Sequence, residues 1–429
     1  MLKQIFTIIR NNLRSNLLLM AGMFVISASL WYAVDYVYSV ADNLRKPLGF
    51  DWEHVYYLQV GVLPQESNQW DDTEKSAEEQ TSEYYTFLDR VRKHPAVENL
   101  CVTRLHYHYV WKNSNMAIYR DSLGTGTLFR GVTPEYFSVF RVKGSDGTSP
   151  EQLAEKLQWN DYILSEDAAD YLLNGKKMGT SEARNPSELV GEYITLDKRD
   201  GDSVRVAAVC EMQKYNEYGA PQRAAYSILK FAGGANTMRY AWAPSFDVFI
   251  RVKPEADNAD FVHDFRREMK NQLRLGNYYL GDIKALSITR NEHLASFRSD
   301  LYSYFSIAGF FLVNAFLAIL GTFWFRTQQR TEELAIRLVV GATPGSLMQM
   351  LMLEGIILIT LAYLPAMGLG YYLGNAEMVE TWPTDWSMTR FGISSLLTYL
   401  LLLAVTLFSI WFPARKAMKI QPVEALHGE

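Results

Sequence analysis

Cysteine is almost missing: Cys101 and Cys210 are the only two in 429 residues. Two thiols make no disulfide framework, and without a CxxC pair there is no zinc cage. One bridge is allowed if both lie outside the cytoplasm, and two buried thiols is the plainer reading. No GxxxxGK(S/T) loop occurs, so the chain is not expected to hydrolyse ATP alone. HExxH and GxSxG are also absent, which removes the common zinc-protease and serine-hydrolase signatures. Nor is there an excess of positive charge: the net charge of −5 argues against a nucleic-acid partner. "GTGTLFRG" at Gly124 to Gly131 holds a lone GxG in strand-like sequence and reads as a turn. His106 and His108 share one face of a predicted strand, but no third metal ligand stands at useful spacing. The expectation is a non-catalytic chain, with no cofactor and no metal of its own.

What the chain has in quantity is apolar sequence, 48% of it, gathered into four runs. They are Leu17 to Val34 with a weaker continuation to Val40, Leu301 to Phe325, Met350 to Leu373 interrupted by Glu354, and Phe391 to Phe412. Each meets the ~20 residues needed to cross a ~30 Å hydrocarbon layer. Asp35, Tyr36 and Tyr38 follow the first run and make no cleavage site. Lys3, Arg10 and Arg14 precede it; Arg326, Arg330 and Arg337 follow the second; Arg415, Lys416 and Lys419 follow the fourth. The loop between the third and fourth carries Glu377, Glu380 and Asp385 against Arg390. Cationic flanks stay inside. Both termini are thus predicted to be cytoplasmic, with 41–300 outside. Leu2, Ile5, Phe6, Ile9 and Leu13 add a helical stripe over 1–16, predicted to lie on the inner membrane surface.

The predicted layout is a membrane protein of four transmembrane helices (17–40, 301–326, 350–373 and 391–412). A large α+β extracytoplasmic domain over 41–300 is inserted between the first two. A cytoplasmic link covers 327–349, a short outer loop 374–390 and a tail 413–429. In the outer domain, His54 to Val62, Ser82 to Lys93 and Val97 to Val110 read as strand, helix, strand. Phe246 to Val252, Ala259 to Leu275 and Tyr278 to Thr289 repeat that order. The two β-α-β units flank an insertion at about 113–240. It holds strands at Tyr193 to Leu196 and Val204 to Glu211 and a helix near Glu166 to Leu173. The acidic run Asp71 to Glu79 reads as a solvated loop.

The link is more structured than an insertion signal requires. Arg330, Glu333 and Arg337 share one helical face. Leu334, Leu338 and Gly341 line another, with Ala335 and Val339 beside it. Ala342 precedes a break at which Thr343 is the expected N-cap and Pro344 the first helical residue. Such a shaped helix reads as a docking knob, the alternative being a juxtamembrane helix resting on lipid headgroups. Ala362, Ala366, Gly370 and Gly374 form a small-residue stripe in the third span, and Asn314, Ala318 and Gly321 a shorter one in the second. Either stripe suits an intrachain or a dimer contact. Glu354 is an acid inside a span and therefore a functional candidate.

"RTEELAIRLVVGATPGSLMQMLMLEG" (Arg330 to Gly355) resembles the cytoplasmic signature of FtsX-like, MacB-type ABC transporter permeases. "PARKAMKIQPVEALHGE" (Pro413 to Glu429) is similar to the family's tail. "GVTPEYFSVF" (Gly131 to Phe140) and "YILSEDAADYLL" (Tyr162 to Leu173) resemble its periplasmic core domain. The resemblance implies a permease subunit of the inner membrane that transmits the motion of an ATPase to its outer domain, expelling or extracting a lipophilic or peptide cargo. The implied partners are an ABC ATPase of the MacB or LolD type, a second permease chain in a homo- or heterodimer, and the lipid bilayer. A periplasmic adaptor and an outer-membrane channel are compatible with it. Macrolide exporters of this type carry a fused N-terminal ATPase; here only a short helix precedes the first span, so hydrolysis is expected on a partner chain. By motif match, Glu333, Ala335, Arg337, Gly341 and Ala342 fall in the coupling helix and its break, and Glu354 matches a family glutamate. The alternative reading is an FtsX-like sensor that controls a periplasmic partner.

Overall fold

A computed structural model describes residues 13–417 except 105–106, 111–112, 176–182, 221–224 and 232–237. Most of the surface helix expected over 1–16, and His106, lie outside the described residues. The chain divides into two units, one of Met1–Arg45 with Phe297–Glu429 and the other of Lys46–Ser296. Helices of eight residues or more are labelled here in chain order. The first, α1, covers Leu13–Leu44.

The Lys46–Ser296 unit opens with β1 (Val55–Val62), α2 (Ala77–Arg92) and β2 (Val97–Arg104). Helix α2 starts earlier than its apolar stripe because the acidic run supplies its beginning. The Ser76 hydroxyl accepts from the Glu79 amide while the Glu79 carboxylate accepts from the Ser76 amide. This reciprocal cap satisfies two amides otherwise unpaired at a helix start. Tyr84, Phe87, Leu88 and Val91 then recur on one buried face.

Next come β3 (Asn115–Arg120), β4 (Leu123–Val132), β5 (Asp161–Ser165), α3 (Glu166–Asn174), β6 (Tyr193–Leu196), β7 (Ser203–Cys210) and β8 (Tyr226–Lys230). The unit closes with β9 (Asp247–Val252), α4 (Phe261–Met269), β10 (Arg274–Leu275), β11 (Tyr278–Ala285) and α5 (Leu286–His293). The expected helix Ala259 to Leu275 is cut short because Leu275 and Tyr278 pair across a two-residue Gly276-Asn277 turn, a strong hairpin signal. The expected strand Tyr278 to Thr289 likewise gives way to α5 at Leu286.

Strands run in the order β10-β11-β1-β9-β2-β4-β3-β6-β7-β5-β8. Within it, β11-β1-β9-β2 is a ferredoxin-like sheet: two split β-α-β units, β1-α2-β2 and β9-α4-β11, interleave antiparallel. Its core joins Leu58, Val60, Phe87, Ile250 and Phe265. The inserted strands do not make a second open sheet. Because β4 also pairs with β8, strands β4, β3, β6, β7, β5 and β8 close into a six-stranded ring. "GTGTLFRG" lies within β4, not in a turn. Tyr119 stands opposite Gly124, and a Cβ there would come within 2.2 Å of the Tyr119 ring. The glycine is there for cross-strand packing.

Asp167 is buried in the first turn of α3 and makes no ion pair among the described residues. Burial raises its carboxyl from 3.8 to about 6. The folded state therefore holds its proton more tightly than the unfolded chain, and stability falls as pH rises from about 4 to about 6, by at most about 3 kcal/mol. Asp167→Asn should flatten that slope when the melting of the full chain is followed between these pH values.

The other unit continues with α6 (Ala295–Gln329), α7 (Thr331–Val339), α8 (Pro344–Asn375) and α9 (Met388–Ala417). Helices α1, α6, α8 and α9 are long and apolar enough to cross a membrane. At 1.5 Å per residue, α1 and α6 reach about 50 Å, well beyond the ~30 Å apolar layer. The apolar runs are thus the middles of longer helices. Helix α8 is central and packs on α1 and α9. Its small-residue stripe faces the interior of this chain: a Cβ on Gly370 would stand 2.9 Å from the Trp31 ring, and one on Gly374 2.0 Å from the Trp386 ring. The α6 stripe is different. Ala318 and Gly321 are exposed, and nothing lies within 4 Å of a Cβ on Gly321. Gly374→Ala should therefore lower the melting temperature of the detergent-solubilised chain by overpacking worth about 1–3 kcal/mol. Gly321→Ala should leave it unchanged or raise it.

Candidate functional site

The link between α6 and α8 is a short helix tied down by charge. Arg330, half-buried, precedes α7. Gly341 follows it at φ +101, a left-handed conformation that disfavours other residues. Thr343 then caps α8, its hydroxyl accepting from the Ser346 amide, with Pro344 next. The chain thus turns sharply between two helices without leaving the α8 start unpaired.

Glu354 organises the inner side of this hairpin. It is 2% exposed and receives two guanidinium groups, Arg326 Nη1 on Oε1 at 3.3 Å and Arg330 Nη1 on Oε2 at 3.0 Å. Arg330 Nε also donates to Glu333 Oε2 at 2.9 Å, and Arg337 Nη2 to Glu333 Oε1 at 2.5 Å. Arg326 further donates to the Asn16 side-chain oxygen. The Arg330 guanidinium hydrogen-bonded to Glu333 holds its carboxyl below the usual glutamate range. Residues of α1, α6, α7 and α8 are thereby bound into one network. A buried carboxylate with two cations is a costly arrangement held by geometry, so losing one member strands the rest.

The apolar faces of α7 differ from the sequence expectation. Leu334 and Ala335 are each 4% exposed, and Leu334 belongs to the core of the helix bundle. Leu338 and Ala342 pack against that same core. What faces outward is Ile336, Val339 and Val340, at 51%, 62% and 81% exposure, with Gly341 beside them. Of the face read as a docking surface, Leu334, Ala335 and Leu338 seat the helix on the bundle, while Val339 and Gly341 lie outward. The sequence signal for the true outer face was the run of β-branched residues ending in Val340-Gly341.

Two further polar centres escaped sequence reading. Asp35 in α1 and Arg390 in α9 are 1% and 2% exposed, and Arg390 Nη2 lies 2.5 Å from Asp35 Oδ2. Arg390 also donates to the carbonyl oxygens of Thr384 and Glu380, fixing the loop before α9. In the other unit Arg130 is fully buried, with its guanidinium 4.4 Å from the Tyr226 ring centroid and 5.2 Å from that of Tyr136. His108 is buried with Nε2 3.0 Å from the Tyr136 hydroxyl and 3.1 Å from Arg130 Nη1. No group of three metal-ligating side chains occurs among the described residues. Cys101 and Cys210 are buried and unbridged.

Four helices are thus long and apolar enough to cross a membrane, with the short tied helix α7 between the second and third and a large α/β unit in the chain between the first and second. Residues 305–422 match the family described as FtsX-like permease C-terminal. Macrolide export ATP-binding/permease proteins MacB of Shigella sonnei and Escherichia coli K12 are each 21% identical over 319 residues. The matched region covers 74% of this chain and 46% of theirs. The chain thus spans about half the length of the curated relatives it matches. Among solved structures, a permease-protein domain from Porphyromonas gingivalis covers 57% of this chain and 98% of its own at 16% identity and TM-score 0.33. The periplasmic region of MacB from Actinobacillus actinomycetemcomitans covers 58% and 97% at 12% identity and TM-score 0.30. The chain is thus similar to FtsX-like permeases over residues 305–422 and, across 74% of its length, to MacB proteins.

Proposed function

We propose that this chain is the permease subunit that receives ATP-driven motion from a separate ABC ATPase at α7 and passes it to its periplasmic domain. The output is export or extraction of a lipophilic or peptide cargo, with a second permease chain completing the complex. The supporting observation is the division of labour on α7. Ile336, Val339 and Val340 stand outward as an apolar knob, while the opposite side is bound through Arg330, Glu333, Arg337 and Glu354 to α6 and α8. A knob so mounted moves with its helices rather than swinging on a loose link. The reading sets α7 and both termini in the cytoplasm, where an ATPase works, in agreement with the cationic flanks.

The test is a Val339→Glu/Val340→Glu double substitution in the full chain, purified with its ATPase. Both side chains are exposed, so the melting temperature should not change. ATPase association should weaken about tenfold or more, as expected for apolar anchors at the centre of an interface. Unchanged association and turnover would reject the docking role.

A further inference from the structure

At the α7 end of the bundle, the last turns of α6 and α9 enclose a cleft of about 440 Å³ lined by Trp324, Trp411, Phe412, Arg415 and Lys416. Lys416 Nζ stands 4.4 Å from the Trp324 ring centroid, which places a cation of one helix on an indole of the other. Arg415 lies 5.1 Å from the centroid of Trp411. Neither cation makes an ion pair among the described residues, and no acid lines the cleft. The other described cations at this end of the bundle differ: Arg326, Arg330 and Arg337 are paired with Glu333 and Glu354.

Two unspent positive charges therefore converge on a cavity whose remaining walls are aromatic. Phe412, in the cleft wall, is 61% exposed. A ring face orients a cation but leaves most of its N–H groups free to donate. A soluble anion would gain from the charges and nothing from the aromatic walls. A molecule with a phosphate and alkyl chains uses both, and α6 and α9 are membrane-crossing helices whose ends meet the headgroup region. Basic recesses between transmembrane helices suit anionic headgroups on chemical grounds.

We propose that this cleft binds the phosphodiester headgroup of an anionic phospholipid. The phosphate oxygens accept from Arg415 and Lys416, and the acyl chains run along Trp324 and Phe412. One lipid so held bridges α6 and α9 beside the α7 hairpin. The proposal needs only that these helices be embedded; it does not depend on ATPase docking.

The experiment uses the full chain in nanodiscs of equal phosphatidylcholine and phosphatidylglycerol, followed by mild detergent extraction and native mass spectrometry. The wild-type chain should retain phosphatidylglycerol in preference to phosphatidylcholine. Arg415→Gln/Lys416→Gln should lower that retention about tenfold. Arg415→Lys/Lys416→Arg should preserve it. Trp324→Leu, which keeps both charges, should give an intermediate loss. Equal retention of the two lipids by the wild-type chain overturns the proposal, as does retention by the double glutamine variant that matches wild type. Release of the bound lipid by inorganic phosphate at millimolar concentration overturns it too, because that behaviour marks a site for a free anion. If the glutamine variant does not fold, the wild-type lipid preference and the phosphate competition still decide.

Discussion

Glu354→Ala should be the most damaging single substitution in the helical unit. The carboxylate is almost fully buried and neutralises both Arg326 and Arg330. Its removal leaves two guanidinium groups facing one another inside the bundle. Loss of one partner from a buried ion pair costs about 3–5 kcal/mol, and here two partners are stranded. For a chain of 429 residues that is a fall in melting temperature of about 3–6 °C. Glu354→Gln should be milder, because an amide oxygen can still accept from one arginine. The effect should also be local. With Arg330 released, α7 loses its tie to α8, so limited proteolysis of the detergent-solubilised variant should cut between α6 and α8 faster than in wild type. A variant that melts like wild type and resists proteolysis equally would show that the apolar seat of Leu334 and Ala335 holds α7 without the charges.

The second large effect is expected at Asp35 and Arg390. Asp35→Ala removes the carboxylate paired with a buried arginine and should cost about 3–5 kcal/mol. The informative variant is the pair Asp35→Leu/Arg390→Met. Replacing both members of a buried ion pair by apolar groups of similar volume is often neutral or better. Here recovery should be partial, because Arg390 also donates to the carbonyl oxygens of Thr384 and Glu380. Melting of wild type, both single variants and the double variant yields the coupling energy directly. A double variant no more stable than Asp35→Ala would mean that the carbonyl contacts, not the ion pair, account for the role of Arg390.

The residues explain what could be read from sequence. The charge-free runs left no alternative to long helices, and Thr343-Pro344 announced the start of α8. The paired β-α-β signals at His54 to Val110 and Phe246 to Thr289 were legible because their apolar periods are clean. Their interleaving was not, since strand order depends on which edges meet. Ring closure rests on one parallel pairing, β4 with β8, which no local pattern reveals. On α7, the spacing of Leu334 and Leu338 marked an apolar face without saying whether it faced a partner or the bundle. Glu354 stood out as an acid in an apolar run. Asp35 and Arg390 did not, because each sits at the end of a run, where charge looks like ordinary solvation.

The closed ring of six strands has a consequence for solubility and for recognition. A strand whose amides and carbonyls are all paired offers no template for another chain. The ferredoxin-like sheet does leave part of β11 uncovered, and there Asp282 and Lys284 project, held by Arg266 and Glu292. Charge along such a border discourages fibril-like stacking between copies. Anything that attaches to this unit is thus steered toward side-chain surfaces and loops, and backbone annealing along a bare sheet margin is discouraged.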